Sequence, residues 1–363
     1  MKNRLQETLI DLIRIDSVSK NSNKKIIEYL STILSNAQFE LELLKYIDPA
    51  GIEKYNLIAH KGTSPGGLAF LCHSDTVPLA TKEQLNPTIT DGKIYGRGAC
   101  DMKGPMAAAI WAGVDSESNL PLTYIITADE EIGCEGAEYV VKNSKLLKKY
   151  SPQYSIATEP TELKPIYAHK GLGSITVTAN GTAAHSSTEK GVNANFKIAP
   201  FLYFISTLRE KYNSNKSYQN SEFTPPTNGL NMVISDFNCA LNITAARSRC
   251  SVSFRSMPNA RTEDILEEIT DAANRLGLTI TSKLYDSLYT DPHNNFVKYV
   301  EDITKSKAGT VPYLTDAFHF KANNPIILGP GSINQAHTEN EYIDIKELNR
   351  GYSIYKQIIK NPI

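Results

Sequence analysis

Long apolar runs are missing from this sequence of 363 residues, and with them any helix of membrane-spanning length. An excess of charge is missing too. The 38 lysines and arginines are matched by 39 aspartates and glutamates, and the net charge of −1 excludes a nucleic-acid or membrane partner held by charge. No basic cluster and no phosphate-cradling glycine loop is present, which ranks phosphoryl chemistry low. The five cysteines (Cys72, Cys100, Cys134, Cys239 and Cys250) are odd in number and lack zinc-ribbon spacing, so a reducing compartment fits better than a disulfide frame. The stretch Met1-Lys2-Asn3-Arg4-Leu5-Gln6-Glu7 leads into acidic residues without an apolar segment of signal length, so the expected location is cytoplasmic. Internal repeats and low-complexity tracts are absent.

What the sequence does have is an ordinary globular composition, 41% hydrophobic and 21% charged, in a chain long enough for two cores. Leu5, Leu9, Leu12 and Ile13 mark an amphipathic first helix, and Lys24–Ala37 a second. Short apolar runs at Leu68–Cys72, Leu122–Ala128, Tyr154–Thr158 and Pro325–Leu328 read as buried strands. They alternate with helical patterns at Pro105–Val114, Gly136–Asn143 and Ile345–Ile359, the last N-capped by Asp344. This alternation predicts an α/β fold with a mostly parallel sheet. The rhythm changes over 171–285. Strands at Ser174–Ala179, Leu230–Ser235, Arg247–Arg255 and Leu278–Tyr285 surround helices at Asn193–Tyr212 and from an N-capping Thr262 to Leu276. The order β-α-β-β-α-β is that of a ferredoxin-like α+β unit. The expected organisation is therefore a catalytic domain over 1–170, an inserted domain over 171–285, and the rest of the catalytic domain over 286–363.

Acids and histidines follow the buried strands, where ligands of open α/β sheets gather. His73 follows the first run, Glu130 and Glu131 the second and Glu159 the third, while His337 lies in the loop after the fourth. Asp101 sits in the glycine-bounded segment Gly98-Ala99-Cys100-Asp101-Met102-Lys103-Gly104. All six can converge on one edge. Histidine and carboxylate donors suit a pair of divalent ions such as zinc, and an aspartate such as Asp101 can bridge them. Asp75, two residues past His73, is placed to accept the second imidazole N–H. In an extended segment Glu130 and Glu131 cannot both face one metal, so one binds and the other is free to act as base. Cys72, Cys100 and Cys134 read as small, buried and inert rather than as thiolate ligands. His60, His169, His293 and His319 have no ligand partner in the pattern.

His73-Ser74-Asp75, the Gly98–Gly104 segment and Asp129-Glu130-Glu131 together resemble the zinc-dependent deacylase and exopeptidase family, and the likeness covers nearly the whole chain. Glu159-Pro160-Thr161, Ala168-His169-Lys170-Gly171 and the segment from Gly329 to His337 look most like the members that deacetylate N-acetyl-L-ornithine in arginine biosynthesis. The resemblance implies a zinc-exopeptidase-like catalytic domain, two divalent ions (zinc, with cobalt an alternative) and a small N-acylated amino acid as substrate. It implies that His73 and Glu159 hold one ion, Glu131 and His337 the other, with Asp101 bridging. It makes Glu130 the general base and acid, and places His185 at the oxyanion and Asn242 and Arg255 at the substrate. It also implies a homodimer formed through the inserted domain. Sibling activities within the resemblance are removal of succinyl from succinyl-diaminopimelate, deacetylation of N-acetylcitrulline, and dipeptide hydrolysis. Asp316, in Thr315-Asp316-Ala317, falls in a loop similar to an active-site loop of the family. Two departures concern the substrate pocket: Ser253-Phe254 precedes Arg255 where the family has aspartate and an aliphatic residue, and Asn242-Ile243-Thr244-Ala245 replaces Asn-Val-Ile-Pro.

Overall fold

The computed structural model describes residues 2–360. The chain forms two compact units. One holds the residues up to Tyr167, then Thr290–Gly309, then the chain from Thr315 onward. The other holds Ala168–Tyr289 and Thr310–Leu314.

The core of the first unit is four parallel strands in the order Leu122–Thr127, Leu68–His73, Tyr154–Ala157 and Pro325–Ile327. Each is buried along its whole length or nearly so, which is why their sequences are continuous apolar runs rather than alternating ones. The predicted strands lie within a residue of these bounds. Outside them, Glu53–Lys61 pairs antiparallel with Leu122–Thr127, and Glu40–Ile47 pairs antiparallel with Glu53–Lys61 at the edge. The apolar pattern does not reveal this pair. Its inner strand buries Lys54, Asn56 and His60, and its outer strand carries the charges of an exposed edge. Ile166–His169 closes the opposite side, antiparallel to Pro325–Ile327.

Helix Lys103–Val114 is buried on nearly all sides and packs against helices Lys2–Arg14 and Ile345–Lys360. Its Gly-Ala-rich sequence permits close approach to the sheet. A Cβ on Gly113 would fall 2.1 Å from the Tyr124 hydroxyl, which donates to the Ala109 carbonyl at 2.7 Å. Asp344 caps Ile345–Lys360 as expected, its Oδ1 accepting from Lys346 N at 2.7 Å.

The second unit is a four-stranded antiparallel sheet in the order Asn231–Ser235, Arg247–Phe254, Leu172–Asn180 and Thr279–Tyr285. Helices Ala194–Ser214 and Glu263–Arg275 complete the ferredoxin-like order. Their core joins Phe201, Ile205, Ile265 and Ile269 to the inward face of the sheet, including Cys250, Val252 and Phe254. Thr262 precedes the second helix but does not cap it. Its backbone is already helical and its hydroxyl accepts from Met257 N at 3.3 Å instead.

Candidate metal centre

Each site residue of the first unit stands where a strand ends or a loop is pinned. His73 is the last residue of Leu68–His73, and Glu159 lies two residues beyond Tyr154–Ala157. After Leu122–Thr127 the chain turns through Asp129 in the left-handed region, φ 59°, and starts the short helix Glu130–Gly133. Asp129 is held there by Lys54 Nζ at 2.8 Å and by the Tyr46 hydroxyl at 2.6 Å. Glu130 and Glu131 are thus at a helix start, not in the extended segment the sequence suggests. Their side chains diverge all the same, about 100° apart around a helix of 3.6 residues per turn.

The five predicted ligands come together around Asp101. Its Oδ1 lies 3.1 Å from His73 Nε2, and its Oδ2 lies 3.3 Å from His337 Nε2. Glu159 Oε1 is 3.7 Å from His73 Nε2, and Glu131 Oε2 is 3.1 Å from His337 Nε2. One aspartate therefore offers one oxygen to each of two histidine–glutamate pairs. His73, Asp101 and Glu131 also present ligand atoms within 4.8 Å of one another.

The electrostatics suit a cation. Burial raises the Glu130 and Glu159 carboxyls well above the ordinary range, and neighbouring acids push the same way. Burial likewise raises Glu131. Asp101 is buried as well, yet hydrogen bonds from His337 and His73 hold it below its usual value. Hydrogen bonds to Asp101 and Glu131 hold His337 up at about 10. Among the described residues, the ion-pair partners of Asp101, Glu131 and Glu159 are histidines, not lysine or arginine. Glu131 Oε1 is buried with no hydrogen-bond partner. A buried carboxylate oxygen without a donor, among nitrogen and oxygen ligands, fits a divalent ion of the zinc type.

Asp75 differs from its predicted role. The His73 Nδ1 partner is the Asp75 backbone oxygen, at 3.0 Å, while the nearer carboxylate oxygen is 3.7 Å away. The carboxylate instead accepts from Glu130 N at 3.2 Å, Glu131 N at 3.3 Å and the Ser19 hydroxyl at 2.7 Å. It is the anion at the start of the short helix. Asp316 was singled out only by resemblance. It is buried beside Glu130, accepts from Thr127 Oγ1 at 2.6 Å and is pushed by burial up to about 6. Cys72 is buried and its thiol is pushed up to about 12, which suits an inert side chain.

The remaining three predicted residues belong to the second unit. His185 is exposed, its Nδ1 2.8 Å from the Ser187 hydroxyl, and it forms a β-bridge with Ile243. Ser186 N donates to the Asn242 carbonyl at 2.9 Å, so His185 and Asn242 are neighbours. Arg255 follows the strand Arg247–Phe254. It is partly buried, which lowers its pKa, and its backbone N–H donates to Asn228 O. Sequence reasoning missed Glu341, which is buried and accepts from four donors around the Asp101 loop. Its position four residues beyond His337 was the available signal.

Comparison with known proteins shows the fold and the family. An acetylornithine deacetylase from Proteus mirabilis is 32% identical over 363 aligned residues, covering 95% of this chain and 92% of that protein. Among solved structures, a metallo-carboxypeptidase of the M20 family from Sulfolobus solfataricus superposes with a TM-score of 0.78 at 16% identity, covering 98% of each chain. A tripeptidase from Staphylococcus aureus gives 0.76 at 23% identity, covering 99% of this chain and 98% of that one. Residues 69–361 match the model of peptidase family M20/M25/M40, and the chain belongs to that family.

Proposed function

We propose that this metal-dependent amide hydrolase removes the acetyl group from N-acetyl-L-ornithine, a cytoplasmic step of arginine biosynthesis. The observation that carries the reading is Asp101, each of whose oxygens faces a separate histidine–glutamate pair. His73 and Glu159 are assigned to one ion, Glu131 and His337 to the other, and zinc is the metal of choice, with cobalt able to replace it. When bound, the two ions supply Lewis-acid polarisation of the amide carbonyl and acidify the attacking water.

The chain's own residues do the rest. Glu130 takes the proton of the water as its oxygen bonds to the acyl carbon, and returns it to the departing amine nitrogen as the C–N bond breaks. Asp75 holds the turn that aims Glu130. His185 is assigned to the oxyanion, and Arg255 and Asn242 to the substrate, where the guanidinium fork suits a carboxylate. No serine or cysteine nucleophile is required. The inserted unit is assigned lid and dimerisation roles. Exposed Val233 and Ile234 on the edge strand Asn231–Ser235, with exposed Phe196 and Tyr203 on helix Ala194–Ser214 and exposed Leu241, support self-association.

The test is a substrate panel on purified protein with and without chelator. It pairs N-acetyl-L-ornithine with succinyl-diaminopimelate, N-acetylcitrulline and dipeptides. Turnover of N-acetyl-L-ornithine above the others, lost on chelation and restored by zinc, supports the reading; preference for a dipeptide assigns a peptidase instead. Glu130→Gln should lower kcat by about 10²–10⁴-fold. Unchanged turnover in that variant removes Glu130 as the base.

A further inference from the structure

We infer that Glu341 is a positioning residue for the metal pair, setting the bridging Asp101 against His337 without touching substrate. This rests on the two-metal reading above. Glu341 is 1% exposed and lies 240 residues from Asp101 in sequence. Its Oε1 accepts from the backbone N–H groups of Cys100 at 2.9 Å and Asp101 at 3.0 Å. Its Oε2 accepts from Gly98 N at 3.0 Å and Arg97 Nη1 at 2.7 Å. The loop amides of Gly98, Cys100 and Asp101 thus wrap one carboxylate, a concave arrangement that backbone N–H groups form around anions.

The loop's own backbone bonds, Ala99 N to Gly96 O at 3.1 Å and Lys103 N to Gly98 O at 2.8 Å, close it at either side of Asp101 and leave the Cys100 and Asp101 amides to Glu341. Gly98 sits at φ 80°, and the helix does not begin until Lys103. The Glu341 carboxylate therefore supplies the fixed point from which the Asp101 side chain is aimed. The same residue anchors the other ligand. Gly96 N donates to the Glu341 carbonyl at 3.0 Å, and Gln84 Nε2 donates to Glu339 O at 2.9 Å. His337, exposed and at φ 63°, belongs to no helix or strand of its own. Its place opposite Asp101 depends on where the chain is tied down just beyond it. One carboxylate thus ties together two ligand-bearing segments from distant parts of the chain.

Glu341→Gln tests this, because it keeps the shape while replacing one acceptor oxygen with a donor that faces donors. The probes are zinc and cobalt(II) alone, titrated into metal-free protein against a competing chelator. Affinity should fall by about 10–100-fold, the usual cost of losing a partner one step behind a ligand. The visible absorption of the cobalt form should change with it. Glu42→Gln is the control for general destabilisation. Glu42 likewise accepts from two backbone amides, Lys145 N and Leu146 N, away from the metal ligands. Wild-type affinity in Glu341→Gln, or an equal loss in Glu42→Gln, overturns the inference. Should Glu341→Gln not fold, Glu341→Asp decides. Its shorter reach cannot serve all the amides, so weakened metal binding supports the role and wild-type binding refutes it. Wild-type protein that takes up no metal would instead overturn the two-metal reading itself, and this inference with it.

Discussion

Replacing Asp75 with asparagine should weaken the Glu131–His337 metal position and spare the His73–Glu159 one. The contact to His73 comes from the Asp75 backbone oxygen, which the substitution leaves alone. The carboxylate serves the Glu130 and Glu131 amides and the Ser19 hydroxyl. An asparagine has one acceptor oxygen instead of two. The Ser19 hydroxyl can turn round to accept, but a backbone N–H cannot, so the new amide group settles against Ser19 and leaves Glu131 N facing a donor. Losing a hydrogen bond to a charged acceptor costs about 1.5–3 kcal/mol. At about 1.4 kcal/mol per tenfold, this weakens the affected position by at most about 10–100-fold. The assay is zinc titration of metal-free protein against a chelator, for Asp75→Asn alone and combined with His337→Ala or Glu159→Gln. Asp75→Asn should be non-additive with His337→Ala and additive with Glu159→Gln. Coupling to Glu159→Gln instead would mean that the carboxylate supports the His73 side, and the assignment to the Glu130–Glu131 turn would be wrong.

Loading metal near neutral pH should release at least one proton. His337 is held at about 10 in the metal-free protein, so it carries a proton that a ligating imidazole must lose. Metal affinity therefore rises with pH below that value, and calorimetry in buffers of different ionisation heat should give different apparent enthalpies; identical enthalpies refute it. Lys170 donates to the carbonyls of Pro225 and Thr227 at 2.7 Å, and burial lowers it to about 8. Above pH 8 and up to the ordinary lysine value near about 10.4, the unfolded chain binds a proton that the folded one has released, so stability gains with pH there. Urea midpoints should rise across that window in wild type relative to Lys170→Met, and parallel profiles count against it. Gly113→Ala should destabilise by about 1–3 kcal/mol through overpacking against Tyr124, with kcat/KM of the folded protein unchanged. Tyr124→Phe in the same chain should restore part of the loss in thermal melts, and no restoration rejects the clash as the cause.

The parallel strands and the residues at their ends were legible because burial on both faces writes itself as an unbroken apolar run, and a ligand placed after such a run is out of register with it. His73, Glu159, His337 and the pair Glu130–Glu131 were singled out in this way, while the choice of Glu131 over Glu130 as ligand came from the family resemblance. The strands Glu40–Ile47 and Glu53–Lys61 were not, because the first is an exposed, charged edge and the pattern of the second is broken by buried polar residues whose partners are remote. Lys54 answers Asp129, Asn56 accepts from Ala128 N, and His60 meets Thr123. Asp75 was placed near the right neighbour but with the wrong atom, since sequence spacing does not say whether a carbonyl or a carboxylate reaches a ring. Glu341 carried too weak a signal, because three of its four donors are backbone amides, and an amide has no residue type.

The long excursion of the chain from the first unit begins and ends at one spot, apart from the short return over Thr310–Leu314. Tyr167 O accepts from Thr290 N at 2.8 Å, and the next residues pair as Ala168 with Tyr289 and His169 with Leu288. The block between them is therefore a cassette whose two ends are hydrogen-bonded neighbours. Closing the gap after excision needs only a tight turn, at little entropic cost to the remaining sheet. All five candidate metal ligands and Glu130 lie outside the cassette, whereas His185, Asn242 and Arg255 lie inside it. Grafting a relative's cassette at this junction would exchange His185, Asn242 and Arg255 together and leave the candidate metal ligands and Glu130 as they stand.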